Sequence, residues 1–239
     1  MIGIRSDVGV VRELNEDYAR YVENEKFKVY VVADGMGGHN AGEVASKMAT
    51  EKIINYIENN FIDGINEEIL KKAVLYANEQ VYSFSHKEEE YTGMGTTLTA
   101  CIITKEFIQI ANVGDSSCFG IGDKTIEKIT KDHSLVQELL DLGTINEEQA
   151  AHHPQRNVIT RAIGTKEWVD VDIFKIEPGK FKVLMLCSDG LSNEVNKQEI
   201  LSVINKSDTF DNACENLVNI AKRRGGRDNI TVMLFEGEV

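Results

Sequence analysis

Four aspartates stand beside apolar, strand-like runs, which places carboxylates at the edges of whatever sheet this chain builds. Asp34 ends the run 29–33 and precedes Gly35, and Asp115 comes just after 107–113. Asp189 and Gly190 follow 183–188, and Asp228 directly precedes 229–235. No nearby basic residue fully neutralises them. Carboxylates gathered at a buried sheet edge repel one another and lose hydration, at roughly several kcal/mol each unless compensated. The usual compensation for an all-oxygen cluster is a hard divalent cation, Mg²⁺ or Mn²⁺.

The chain of 239 residues is 42% hydrophobic, enough for a core, and holds only 2 prolines and no low-complexity stretch. These features predict a single domain, 1–239. A net charge of -13 argues against a nucleic-acid or anionic-membrane surface. The first residues lack a long apolar core, Gly3 is not at the position an acylation signal needs, and no apolar run reaches the length of a membrane span. Cys101, Cys118, Cys187 and Cys214 are widely spaced and read as buried thiols, with neither zinc spacing nor a disulfide framework. A reducing, cytoplasmic location is the expectation.

Strand patterns are expected at 27–33, 95–104, 107–113, 116–121, 125–129, 169–176, 181–188 and 229–235. Helical spacing marks Ala45, Met48, Ala49, Ile53, Tyr56 and Ile57, then Ile69, Ala73, Val74, Ala77, Val81 and Phe84. Two more helices are expected at 197–205 and 210–223. Lys105-Glu106 is a hairpin-like connection, so its flanking strands are antiparallel. Between Lys131 and Gly164 the chain leaves the sheet: Ser134 with Gln137 reads as a capping box, and a polar helical piece follows at 146–151. Strand blocks with paired helices predict an antiparallel α+β sandwich. Antiparallel neighbours bring all four aspartates to one edge, because three follow their strands and Asp228 precedes its own.

The run from Asp34 to His39 contains Gly35, Gly37 and Gly38. It reads either as a simple turn or as a turn whose carbonyl faces an ion. It lacks the Lys-Ser/Thr of a P-loop and the spacing of a dinucleotide fingerprint. Arg12 lies four and five residues before Glu16 and Asp17. A guanidinium fork suits phosphate, and the acids suit orienting metal-bound water, although alone the segment reads as charged surface. No cysteine is followed six positions later by arginine, which excludes a cysteine-nucleophile phosphatase. Asp170 and Asp172 alternate with Val169, Val171 and Ile173 as in a half-solvated strand, and Phe174 stands where an aspartyl-phosphate motif needs Thr or Val. A Gly-x-Ser-x-Gly elbow is absent. What remains is a water nucleophile activated by two ions about 3.5–4 Å apart that share one carboxylate. His39 reads either as the proton donor to the leaving alkoxide or as a turn histidine bonding the backbone.

Eight segments occur in an order that resembles the bacterial metal-dependent serine/threonine protein phosphatases of type 2C, the PPM family. They are Ser6-Asp7-x-Gly9-x-x-Arg12-x-x-Asn15-Glu16-Asp17, Val32-Ala33-Asp34-Gly35-Met36-Gly37-Gly38-His39-x-x-Gly42-Glu43, Gly93-Met94-Gly95-Thr96-Thr97, and Val113-Gly114-Asp115-Ser116. The others are Asp132-His133-Ser134-Leu135, His153-Pro154-x-Arg156-Asn157-x-x-Thr160-Arg161-Ala162, Cys187-Ser188-Asp189-Gly190-Leu191 and Arg227-Asp228-Asn229. The resemblance implies a four-layer α/β/β/α sandwich with two core Mn²⁺ or Mg²⁺ ions at one edge. Asp34 would bridge them, with the Gly35 carbonyl, Asp189 and Asp228 as further ligands, and Asp115 with Asp189 would hold a third, weaker ion. Arg12 would hold the substrate phosphate, while Glu16, Asp17 and Asn229 would act behind the ligands, the two acids mainly through metal-bound waters. The stretch from about 132 to 164 matches the family's flap. Phosphoprotein substrates and a cognate eukaryotic-like Ser/Thr kinase are the implied partners. Ser117 departs from the arginine common after Gly-Asp-Ser, and Met36 stands where eukaryotic relatives place their acid histidine. A catalytically silent phosphoprotein-binding relative is the rival from another class, and every ligand position being filled weighs against it. A phosphatase of a developmental or anti-sigma regulator is narrower, and such enzymes usually carry sensor domains.

Overall fold

The computed structural model describes residues 1–37, 41–62, 67–87 and 89–237, so His39 lies outside the described residues. Strands β1 (Ile2–Asp7), β2 (Asp17–Glu23) and β3 (Lys28–Met36) precede helices α1 (Ala41–Asn60) and α2 (Ile69–Ser85). Five strands follow: β4 (Gly95–Thr96), β5 (Leu98–Ile103), β6 (Ile108–Val113), β7 (Ser117–Ile121) and β8 (Ile126–Lys128). The excursion carries α3 (Leu135–Asp141) and α4 (Glu147–Ala151). After it come β9 (Asp172–Ile176), β10 (Val183–Cys187), α5 (Asp189–Ser192), α6 (Lys197–Lys206), α7 (Phe210–Arg223) and β11 (Ile230–Glu236).

One antiparallel sheet has the order β1-β11-β10-β7-β8, and the other has β2-β3-β5-β6-β9 with β4 added beside β3. Side-chain alternation explains the layering. In β3, Val29, Val31 and Ala33 pack towards α1 and α2, while Tyr30 and Val32 face the other sheet. In β11, Ile230, Val232 and Leu234 pack towards α6 and α7, and Met233 and Phe235 point inwards. Both faces of these central strands are covered, which is why they read as near-continuous apolar runs. Tyr30 and Phe235 stack across the sandwich with ring centroids 3.7 Å apart and planes 10° from parallel. Such a pair adds about 0.5–1.5 kcal/mol beyond the area it buries. On α1 the buried residues Ala45, Ala49, Ile53 and Ile57 recur every four positions, and their small members let the helix lie close to the sheet. The four-layer α/β/β/α architecture expected from the resemblance is the one observed.

Several expectations need correction. The strand patterns leave out β1 and β2; both are edge strands with one-sided burial, so few apolar residues mark them. β3 runs on to Met36, which puts Asp34 inside the strand rather than at its tip. Asp170 falls outside β9. The capping box at α3 is half formed: the Gln137 N–H donates to Ser134 Oγ (3.2 Å), but the Gln137 side chain donates to Asp141 Oδ1 (3.0 Å). The full reciprocal box occurs at Asn146 with Gln149 and at Asn196 with Glu199.

Candidate active site

The β2–β3 register sets Asp17 directly opposite Asp34, so both carboxylates leave the same face of the sheet. That face is the inner one, two residues beyond Val32. Asp115 sits in the turn after β6, Asp189 opens α5 after β10, and Asp228 lies just before β11. These ends meet at one edge of the sandwich. A cavity of about 220 Å³ there is lined by Asp34, Gly35, Asp115, Asp189, Asp228, Arg12, Glu16 and Asn229, with Asn157 and Ile159 from the flap side. The gathering of distant acids that the strand pattern predicts is present. Asp17 is not among the lining residues; it is 6% exposed.

Crowding of like charges sets the electrostatics. Burial, followed by Asp17, Asp189, Asp115 and Asp228, holds the Asp34 carboxyl well above the ordinary carboxylate range. Burial pushes Asp17 up to about 7 even though Ser188 and Thr231 hydrogen-bond its carboxylate. Asp115 is raised to about 7 by burial and by Asp189, and Asp189 to about 6 by burial and by Asp228. Burial also raises Glu16. At Asp228, Arg12 Nη2 donates to Oδ2 at 2.9 Å. One cation does reach the cluster: Arg12 is 216 residues away in sequence and adjacent in space, and it pairs with Asp228 alone among the four aspartates.

The donor set fits a hard divalent cation. All the groups are oxygens, and the buried Oδ1 atoms of Asp17 and Asp189 have no hydrogen-bond partner. As they stand, no three His, Cys, Asp or Glu side chains among the described residues converge on one point as a closed ligand set. Asp34, Asp115, Asp189 and Asp228, with the Gly35 backbone, are the residues that could hold such ions.

Backbone contacts fix these groups in place. Thr97 grips Asp34 twice: the Asp34 N–H donates to Thr97 Oγ1 (3.0 Å), and the Thr97 N–H donates to Asp34 O (2.8 Å). A side chain at Gly35 would place its Cβ 2.1 Å from the Gly42 carbonyl oxygen, so only glycine lets α1 begin this close to β3. Asn229 clamps the loop that carries Arg12. Its Nδ2 donates to Val8 O (3.0 Å) and Leu14 O (2.9 Å), and its Oδ1 accepts from the Glu16 N–H (2.8 Å). Ser188 Oγ donates to Asp17 Oδ2 at 2.7 Å. Ser117 is buried in β7, where its Oγ donates to Asp115 O at 3.4 Å. Sequence reasoning does not find Thr97, Ser188 and Ile159 as site residues; for Thr97 and Ser188 the usable signal is a hydroxyl set in or beside an otherwise apolar strand, and Ile159 carries none.

Comparison with known proteins agrees with this geometry. A family model described as Protein phosphatase 2C matches residues 10–234. The serine/threonine phosphatase stp of Listeria welshimeri is 39% identical over 236 residues, covering 97% of this chain and 94% of that protein. The protein phosphatase PhpP of Streptococcus pneumoniae is 36% identical over 237 residues, covering 98% of this chain and 96% of its own. The crystal structure of serine/threonine phosphatase Stp1 from Staphylococcus aureus superposes with a TM-score of 0.92 at 36% identity, covering 98% of this chain and 94% of that one. That of PstP/Ppp from Mycobacterium tuberculosis gives 0.88 at 34% identity, covering 100% and 99%. With the fold, the acidic edge and these full-length relatives in agreement, the chain belongs to the protein phosphatase 2C family.

Proposed function

We propose that this chain is a metal-dependent protein serine/threonine phosphatase that hydrolyses phosphoserine and phosphothreonine esters by direct attack of water. The observation that carries the reading is the single cavity shared by Asp34, Asp115, Asp189 and Asp228, with Arg12 among its lining residues. Mn²⁺ or Mg²⁺, when bound, supplies Lewis-acid polarisation of the phosphoryl group and acidifies a water near neutrality. Asp34, Asp189, Asp228 and the Gly35 backbone would hold two core ions, and Asp115 with Asp189 a weaker third.

The chain's own groups divide the remaining work. Arg12, half-exposed and resting on Asp228, presents a planar fork that matches a phosphate. Asn229 keeps that arginine's loop docked, and Glu16 and Asp17 orient water behind the ligands. His39 is proposed as the proton donor to the leaving serine or threonine oxygen.

Residues 1–239 act as one phosphatase domain, with 132–164 as the flap beside the cavity. No helix among the described residues is long and apolar enough to cross a membrane. We place the enzyme in the cytoplasm, opposing a eukaryotic-like Ser/Thr kinase on shared phosphoproteins. The test is hydrolysis of a phosphothreonine peptide with Mn²⁺ present. Activity should vanish with EDTA and fall at least tenfold or so in Asp34→Ala and Asp189→Ala. Full activity in EDTA would end this reading.

A further inference from the structure

Away from the carboxylates, one buried histidine joins three segments that the mechanism above leaves unconnected. His133 is 6% exposed and follows the turn that leads out of β8. The Gly114 N–H donates to its Nδ1 at 3.1 Å, and its own backbone N–H donates to Gly114 O at 2.9 Å. On the flap side, the Thr160 N–H donates to His133 O at 2.8 Å, and Ser134 bridges Ile159. The far edge of the ring meets β9, with Nε2 3.1 Å from Asp172 Oδ2, and Arg161 Nη1 donates to Asp172 Oδ1 at 2.9 Å.

These contacts determine the tautomer. Nδ1 accepts from an amide, so the ring proton sits on Nε2 and is donated to Asp172. Arg161 Nη1, 3.2 Å from Nε2, is then a second donor aimed at the same carboxylate. Burial alone would raise Asp172, but the hydrogen bonds from His133 and Arg161, with the charge of Arg161, prevail and hold it below the usual carboxylate range. Asp172 therefore stays anionic and keeps the ring oriented.

Gly114 is the residue before Asp115, and its φ of +105° is one that L side chains rarely adopt. A Cβ there would also lie 2.6 Å from Thr97 Cβ, and Thr97 is the residue that grips Asp34. The Asp115 turn is thus wedged between His133 on one side and Thr97 on the other. We propose that His133 is a positioning residue: its Nδ1 fixes the Gly114–Asp115 turn while its backbone fixes the flap return, so the ring sets Asp115 and the flap relative to one another.

The inference rests on the phosphatase reading above, and its test separates the two. In a His133→Asn variant the amide oxygen occupies the place of Nδ1, whereas the longer side chain of His133→Gln reaches the place of Nε2 and abandons Gly114. We expect His133→Asn to keep kcat/KM within about twofold of the parent, and His133→Gln to lose about tenfold, the scale of one hydrogen bond. The loss should fall on kcat, with KM for the phosphopeptide unchanged. Calorimetric titration with Mn²⁺ should show weaker binding in the glutamine variant but not in the asparagine variant. A residue that merely fills space predicts equal effects of the two variants, and that result overturns the proposal. On the unaltered protein, ¹⁵N spectra of the histidine rings should show a Nε2–H ring whose Nδ1 is coupled to the Gly114 amide. A Nδ1–H ring or an imidazolium at neutral pH overturns it whether or not the variants fold. An unaltered enzyme without Mn²⁺-dependent activity defeats the phosphatase reading instead, and the ring spectrum still decides the geometry.

Discussion

Arg12 Nη2 lies 2.9 Å from Asp228 Oδ2, so the side chain suited to phosphate is anchored on one of the acids suited to metal. The pair is partly solvated, with side-chain exposures of 50% and 29%, which leaves the guanidinium accessible. Under the proposed function, substrate capture and the acidic cluster would be tied through this one contact. Arg12→Ala should lower kcat/KM for a phosphothreonine peptide about 10- to 100-fold, the range for charge-assisted hydrogen bonds. Arg12→Lys should recover little, because an ammonium lacks the planar fork. Steady-state kinetics decide this, and a fully active lysine variant would contradict a bidentate role.

The crowded carboxylates make a pH prediction for the protein in EDTA. Asp17 and Asp115 are pushed up to about 7 and Asp189 to about 6, against about 3.9 for an ordinary aspartate. The folded state thus binds these protons more tightly than the unfolded state, and their protonation stabilises the fold. Stability should decline as pH rises from about 4 through about 7, so the unfolding midpoint should be higher at about pH 5.5, inside that window, than at about pH 8, above it. Mn²⁺ should narrow the gap, since its ligands must be deprotonated. Thermal scans that are flat or inverted in EDTA would refute the assignment.

Asn229 makes three hydrogen bonds to the loop bearing Arg12. Asn229→Asp keeps the acceptor for the Glu16 N–H but loses both donors to Val8 and Leu14. We expect a loss of about 1–3 kcal/mol in stability, from two hydrogen bonds lost and a charge added. KM for phosphopeptide should rise as the Arg12 loop loosens. Chemical denaturation and kinetics measured on the same samples check both arms; an unchanged KM would detach Asn229 from substrate binding.

Phe235 stacks on Tyr30 between the sheets, away from the cavity. Phe235→Ala should cost about 3–5 kcal/mol by leaving a cavity in a close-packed layer. At temperatures where the variant remains folded, KM should match the parent. Denaturant melts give the first quantity, and a shifted KM would show that the layer transmits to the site.

The sequence by itself determined which segments cross the core. Residues 29–33, 108–113, 183–187 and 230–235 are mostly apolar on both faces, interrupted only by Gln109, Asn112 and Thr231, and such runs survive only as covered central strands. It also determined the acids at the ends of those strands and the paired helices outside them, because periodicity and charge are local properties of the chain. Tertiary structure alone decided the rest. β1 and β2 exist because central strands lend them hydrogen-bonding edges, and their own residues signal little. Asp34 lies within β3 because β4 pairs with the strand's last residues, Gly35 and Met36. The partnerships of Arg12 with Asp228, Asn229 with Leu14, and His133 with Gly114 span 216, 215 and 19 residues. Hydrogen bonds and ion pairs act over a few ångströms in space, and no spacing along the chain encodes which distant residues the sheets will bring that close.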